Sequence, residues 1–100
     1  MKRLEFYRKE LENLKHLLTK EFKVESIGFF GSVVRDDFSP GKSDIDIIVD
    51  VASPVGIEFI DLADFLEREL KQKVDLVSRK GVKPKYLNQI EPEIVYVYKR

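Results

Sequence analysis

The chain has 100 residues, no cysteine and one histidine, and its 18 basic residues balance 18 acidic ones. This length predicts one small domain over residues 1–100, and the lack of cysteine excludes disulfide bonds and thiolate zinc sites. The formal net charge of zero gives no support for nucleic-acid binding. Because no apolar run has the length of a signal-peptide core or a membrane span, we expect a cytoplasmic protein.

Hydrophobic patterning predicts helices and strands in alternation. Apolar residues recur every three or four positions over about residues 2–21, which is typical of an amphipathic helix. Further helices are predicted from Ser53-Pro54 to about Lys71 and over residues 84–90. β-branched and aromatic residues predict four strands, over residues 24–30, 44–51, 73–78 and 93–98. The expected fold class is α/β (α+β), a small mixed β-sheet flanked by helices.

A glycine-serine turn follows the first predicted strand. Gly31-Ser32 ends an apolar run, and residues 32–36 are predicted to form one helical turn. The first amides of a helix have no partner within the helix, so they are available to bind phosphate oxygens. Glycine at position 31 would let a phosphate approach the backbone closely. On its own, however, such a pair is more often only a turn.

Two carboxylates lead the second predicted strand. Asp44 and Asp46 are separated by one residue, and alternate side chains of a strand lie on one face, so both acids are expected to point the same way. Like charges on one face repel unless a cation lies between them, and Mg²⁺ is such a cation. Asp75, in the third strand, joins them only if the strands pair in the right register. Without that context, Asp-x-Asp is more often a solvated strand end.

These features form one pattern that runs through three short segments: Gly31-Ser32, Arg35 and Ser43-Asp44-Ile45-Asp46. The pattern resembles the signature of the DNA polymerase β-type nucleotidyltransferase superfamily, and in particular its minimal nucleotidyltransferases. Two positions depart from the commonest form, since Val34 stands where a small residue is usual and Asp36 where glycine is frequent. The resemblance implies a polymerase β-like palm core for the mixed sheet.

The resemblance also implies a site and its cofactors. Asp44, Asp46 and Asp75 would be catalytic and would hold two Mg²⁺ ions, with Asp75 helping to deprotonate the acceptor hydroxyl. ATP would be the substrate, bound by four residues: Gly31, Ser32, Arg35 and Ser43. Arg35 is equally consistent with a structural ion pair to Asp36 or Asp37.

Minimal nucleotidyltransferases commonly act as antitoxins that transfer AMP from ATP to a tyrosine of a HEPN-type ribonuclease toxin. The resemblance therefore implies a Mg²⁺-dependent protein adenylyltransferase whose partner is such a toxin. Two alternatives stay open: nucleotidylation of a small molecule, and inhibition of a partner by contact without catalysis. We also expect the protein to self-associate or to bind its partner through the N-terminal helix and residues 94–98.

Overall fold

The computed structural model describes residues 3–52 and 56–99, which fold around a four-stranded sheet. The strands are β1 (Val24–Phe30), β2 (Ile45–Val51), β3 (Val74–Ser78) and β4 (Val95–Lys99), in the order β3-β2-β1-β4. β1 pairs antiparallel with β2 and β4, whereas β2 and β3 are parallel. The predicted mixed sheet of an α/β (α+β) fold is confirmed.

In the described part of the chain, five α-helices accompany the sheet: α1 (Arg3–Asn13), α2 (Lys15–Lys20), α3 (Ser32–Arg35), α4 (Gly56–Leu70) and α5 (Pro84–Ile90). Parallel strands need a crossover connection, and α4 lies in the one between β2 and β3. A 3-10 turn, Glu91–Glu93, joins α5 to β4. No helix within the described residues is both long and apolar enough to cross a membrane.

The two faces of the sheet bury different residues because side chains alternate along each strand. On β2, Ile45, Ile47 and Val49 are fully buried in the main core, which α1, α2 and α4 complete. On the opposite face, Ile48 packs with Phe30 and with residues of α5 in a smaller cluster. The acids at positions 46 and 50 alternate with the main-core residues, so they share the face of the smaller cluster.

The N-terminal region differs from the predicted single helix over residues 2–21. The Leu14 amide donates to the Leu11 carbonyl at 3.1 Å, three residues back instead of four, and the chain divides there into α1 and α2. This tighter bond is common at helix ends, and Asn13 has a low helix propensity. The spacing of apolar residues continues across this break, so hydrophobic periodicity alone could not predict it.

The starts of three strands also differ from the prediction, and β3 begins at Val74 instead of Lys73. β2 begins at Ile45, so Asp44 lies just before it, and β4 begins at Val95 because residues 91–93 form the 3-10 turn. The predicted extents of β1 and α5 agree with the structure. The Ser53-Pro54 pair predicted to begin a helix lies outside the described residues.

Candidate active site

Two of the three predicted acids lie side by side where the parallel pair of strands begins. In the register of β2 and β3, Asp46 is paired with Asp75. Asp75 and Asp44 are both near enough for their negative charges to act on Asp46. The strand register needed to bring Asp75 beside Asp46 is therefore confirmed. Asp44 and Asp75 are exposed, whereas Asp46 is half-buried.

Burial and neighbouring charge raise the pKa of Asp46 from 3.8 to about 6. Desolvation of its carboxyl is the largest cause, followed by the negative charges of Asp75 and Asp44. The positive charge of Arg35 acts in the opposite direction. The site thus holds an unfavourable concentration of negative charge, which a bound cation would relieve.

Gly31 is in contact with the half-buried acid. Its φ of 77° and ψ of −149° fall in a region that is essentially restricted to glycine. A Cβ at this position would lie 2.0 Å from Oδ2 of Asp46, far closer than non-bonded atoms can approach. The turn begins beside the acid because Phe30, the last residue of β1, is the antiparallel partner of Asp46. Position 31 must therefore be glycine to leave room for the Asp46 carboxylate, a reason that the sequence did not reveal.

The first turn of α3 supplies donors next to the acids. The amides of Val34 and Arg35 both donate to the carbonyl of Gly31, at 3.0 and 3.2 Å. The amides of Ser32 and Val33 precede these bonds and so belong to the set that a helix leaves without partners of its own. With the Ser32 hydroxyl, they form a group of donors suited to an anion.

Glu93 binds two of the groups predicted to bind the nucleotide. Its Oε1 accepts the Gly31 N–H at 3.0 Å, and Nη1 of Arg35 donates to Oε1 and Oε2 at 3.2 and 3.1 Å. The ion pair of Arg35 is therefore with Glu93 and not with the predicted Asp36 or Asp37. The partner was missed because 58 residues separate it from Arg35. Glu93 was predicted only as the first residue of the fourth strand, and no motif marked it as part of the site.

Ser43 has a structural task in addition to its predicted nucleotide-binding one. Its Oγ accepts the N–H of Ser39 at 3.0 Å, and its own N–H donates to the carbonyl of Ser39 at 2.8 Å. These two bonds close the loop that leads to Asp44. Lys42, in the same loop, is exposed.

The donor chemistry of the acids fits Mg²⁺. No three carboxylate or histidine side chains among the described residues are close enough together to hold an ion by themselves. Mg²⁺, however, is usually held by one or two carboxylates together with substrate phosphates. The pair of Asp46 and Asp75, with donors for phosphate on the adjoining turn, is an arrangement of that kind.

Comparison with known proteins agrees with this chemistry. Residues 11–97 match the nucleotidyltransferase domain family. The chain belongs to this family. The protein adenylyltransferase MntA of Thermococcus cleftensis is 38% identical over 95 residues, an alignment that covers 87% of this chain and 95% of the relative.

Two solved structures extend the similarity to the fold. A toxin-antitoxin crystal structure with AMP-PNP aligns with a TM-score of 0.72 at 27% identity, covering 89% of this chain and 73% of the matched one. A complex of the tri-AMPylated HEPN toxin of Shewanella oneidensis with MNT antitoxin aligns with a TM-score of 0.65 at 25% identity, covering 93% and 73%.

The raised pKa predicts how stability varies with pH in metal-free protein. Asp46 binds its proton more tightly in the folded chain, with a pKa of about 6, than at the ordinary value of 3.8. The protonated carboxyl therefore stabilises the fold below about pH 4, and this contribution is lost as the pH rises through about 6. Since solvent screens the half-buried group, we expect a loss of about 1 kcal/mol in the free energy of unfolding.

Urea unfolding of metal-free variants across this pH range measures the effect. Asp46→Asn should remove the loss, and Asp64→Asn, which changes an exposed carboxylate on α4, should retain it. An unchanged pH profile in Asp46→Asn would contradict the electrostatic account of the site.

The contact between Gly31 and Asp46 predicts an effect of adding a single methyl group. Gly31→Ala should lower the melting temperature, because it strains the backbone by about 1–3 kcal/mol, and should displace Asp46. Gly41→Ala is the matched control, since Gly41 also has a positive φ, of 81°, but a Cβ there meets no described atom within 4 Å. Calorimetry with Mg-ATP should detect weaker binding in Gly31→Ala only. Equal binding by both variants would show that the contact is irrelevant to the nucleotide.

Proposed function

We propose that this chain is a Mg²⁺-dependent protein adenylyltransferase that transfers AMP from ATP to a tyrosine hydroxyl of a HEPN-type toxin. The observation that carries the proposal is the pairing of Asp46 with Asp75 beside the Gly31-Ser32 turn. The relatives support it, since one is named protein adenylyltransferase MntA, one contains AMP-PNP, and one contains an AMPylated HEPN toxin. The chain would then act as the antitoxin of such a pair.

Binding of ATP is assigned to the turn and α3. The hydroxyl of Ser32 and the first amides of α3 would donate to oxygens of the triphosphate, and the guanidinium of Arg35 would add a positive charge. Ser43 would contribute chiefly by holding the loop before Asp44, since its hydroxyl already accepts a hydrogen bond. The amide of Gly31 is bound to Glu93, so it is the least available donor of the turn.

Metal binding is assigned to the acids. Asp46 and Asp75 would hold Mg²⁺ together with phosphate oxygens of ATP, and Asp44, in the loop before β2, would add its negative charge beside them. When bound, the metal neutralises charge on the triphosphate and lowers the pKa of the acceptor hydroxyl.

The chain's own part in the transfer is to orient the reactants and accept a proton. The tyrosine oxygen of the toxin bonds to the α-phosphorus of ATP as the bond from that phosphorus to the bridging oxygen of the β-phosphate breaks, which releases pyrophosphate. The carboxylate of Asp75 is exposed and lies next to Asp46, so we assign it the proton of the tyrosine hydroxyl. Protonation of one acid also reduces the repulsion within the pair.

The surroundings of the reaction follow from its substrates. We propose that the chain works in the cytoplasm, where ATP is made and consumed, and that residues 1–100 form the single domain that binds the nucleotide. The acceptor tyrosine would be positioned by the fold of the toxin to which it belongs. Within the described residues β4 is an edge strand of the sheet, and an edge strand can pair with a strand of a partner or of a second copy.

Intact-mass spectrometry of the chain mixed with a HEPN-type toxin, ATP and Mg²⁺ tests the proposal. We expect the toxin to gain the mass of one or more AMP groups. Asp46→Asn and Asp75→Asn should abolish the gain, and Asp64→Asn on the exposed face of α4 should not. A stable complex without a mass gain would favour inhibition by contact instead, and AMP on a small molecule alone would contradict the choice of acceptor.

A further inference from the structure

The 3-10 turn between α5 and β4 holds two glutamates that bind different parts of the fold. Glu91 accepts from the guanidinium of Arg79 and, at 3.1 Å, from the hydroxyl of Tyr96. Arg79 also donates to the oxygen of Tyr96 at 2.7 Å, so the three groups form a closed network. Glu91 thus anchors the turn to the end of β3 and to β4, away from the acids.

Glu93, two residues later, reaches the candidate active site instead. It accepts from the backbone of Gly31 and from Nη1 of Arg35. The Glu93 side chain is 26% exposed and that of Arg35 is 55% exposed, so the arginine is the more accessible of the two.

The geometry of the ion pair leaves donors on Arg35 for a ligand. Within the described residues, both hydrogen bonds of its side chain use Nη1. A guanidinium carries five N–H donors in a rigid plane, so fixing Nη1 also fixes the directions of Nε and Nη2. The charge of Arg35 is already felt at Asp46, where it lowers the pKa, so the guanidinium lies near the acids.

We propose that Glu93 is a positioning residue for the nucleotide. It holds Nη1 of Arg35 so that Nε and Nη2 are oriented for the triphosphate, and it holds Gly31 so that the turn stays against Asp46. Glu93 remains bound when ATP binds, and the phosphates use the donors of Ser32 and Val33 instead of the Gly31 amide. The inference rests on the proposed nucleotidyltransferase function and adds a residue that the motif does not contain.

Preorganisation explains why a carboxylate in this position would favour the binding of an anion. A long arginine side chain loses rotamer entropy when it is fixed, and a partner that fixes it in advance removes that cost from nucleotide binding. A carboxylate that competed for the same donors would have the opposite effect. The two roles therefore predict opposite changes in affinity when the charge of Glu93 is removed.

A double-mutant cycle on Mg-ATP binding tests the role. Isothermal titration calorimetry would compare the unmodified chain with Glu93→Gln, Arg35→Met and the double variant. We expect Glu93→Gln to raise Kd roughly tenfold, the effect of losing one charge-assisted hydrogen bond. In the Arg35→Met background it should have little further effect, because the oxygen of a glutamine can still accept the Gly31 N–H and the substitution removes only the charged pair with Arg35.

Melting temperatures separate positioning from a general structural role. Glu91→Gln is the matched control, since it alters the same turn but touches neither Arg35 nor Gly31. It should lower the melting temperature and leave the Kd for Mg-ATP nearly unchanged. Glu93→Gln should raise that Kd and lower the melting temperature less than Glu91→Gln does. In the transfer assay, Glu93→Gln should raise the KM for ATP with a much smaller change in kcat.

The outcomes distinguish this inference from the proposed function. Unchanged or tighter ATP binding by Glu93→Gln overturns the positioning role and leaves the proposed function intact. Additive effects of Glu93→Gln and Arg35→Met on Kd also overturn it, since they mean that the two residues act separately. Failure of the unmodified chain to bind Mg-ATP overturns both.

Discussion

The register of the parallel pair β2–β3 is the constraint on which the site depends. It places Asp46 beside Asp75 on strands that are about 4.8 Å apart, so two like charges are neighbours. The other face of the same strand explains why the register holds. Ile45, Ile47 and Val49 are fully buried, and each contributes about 1.5–3 kcal/mol by leaving water. Their sum exceeds the repulsion between two partly solvated carboxylates, so the core decides where the acids lie.

The same relation makes the position of the acids robust. A slip of one residue would move Ile45, Ile47 and Val49 out of the main core to the opposite face of the sheet, which the core does not permit. The acids are therefore held in place by residues with which they have no chemical interaction. On the other side of the site, the Gly31 turn meets Asp46 from β1, so three adjacent elements converge on one carboxylate.

Local patterns predicted most of the fold, and non-local contacts account for what was missed. β1 and α5 were predictable from β-branched content and from Pro84 at a helix start. The pairing of Asp46 with Asp75 was expected only conditionally, because strand register depends on packing between segments that lie far apart in the chain. The contact of Glu93 with Gly31 spans 62 residues and involves a backbone amide, which has no sequence signature. Asp36 has a φ of 67°, in the left-handed region that glycine adopts most readily. This explains why glycine is frequent at this position in related nucleotidyltransferases, and only the backbone conformation could show it.

The contact between Glu93 and Gly31 also bears on the order in which the molecule loses its structure. Contacts of high sequence separation form late in folding, and edge strands are among the first elements to open in native proteins. β4 is an edge strand, and Glu93 lies in the turn directly before it. Transient detachment of β4 would withdraw Glu93 from the turn and from Arg35 while the pairing of β1 with β2 persists. Opening of β4 alone would therefore loosen the Gly31 turn and free Arg35 while the paired acids stay in place, so the nucleotide-binding half of the site depends on the edge strand and the metal-binding half does not.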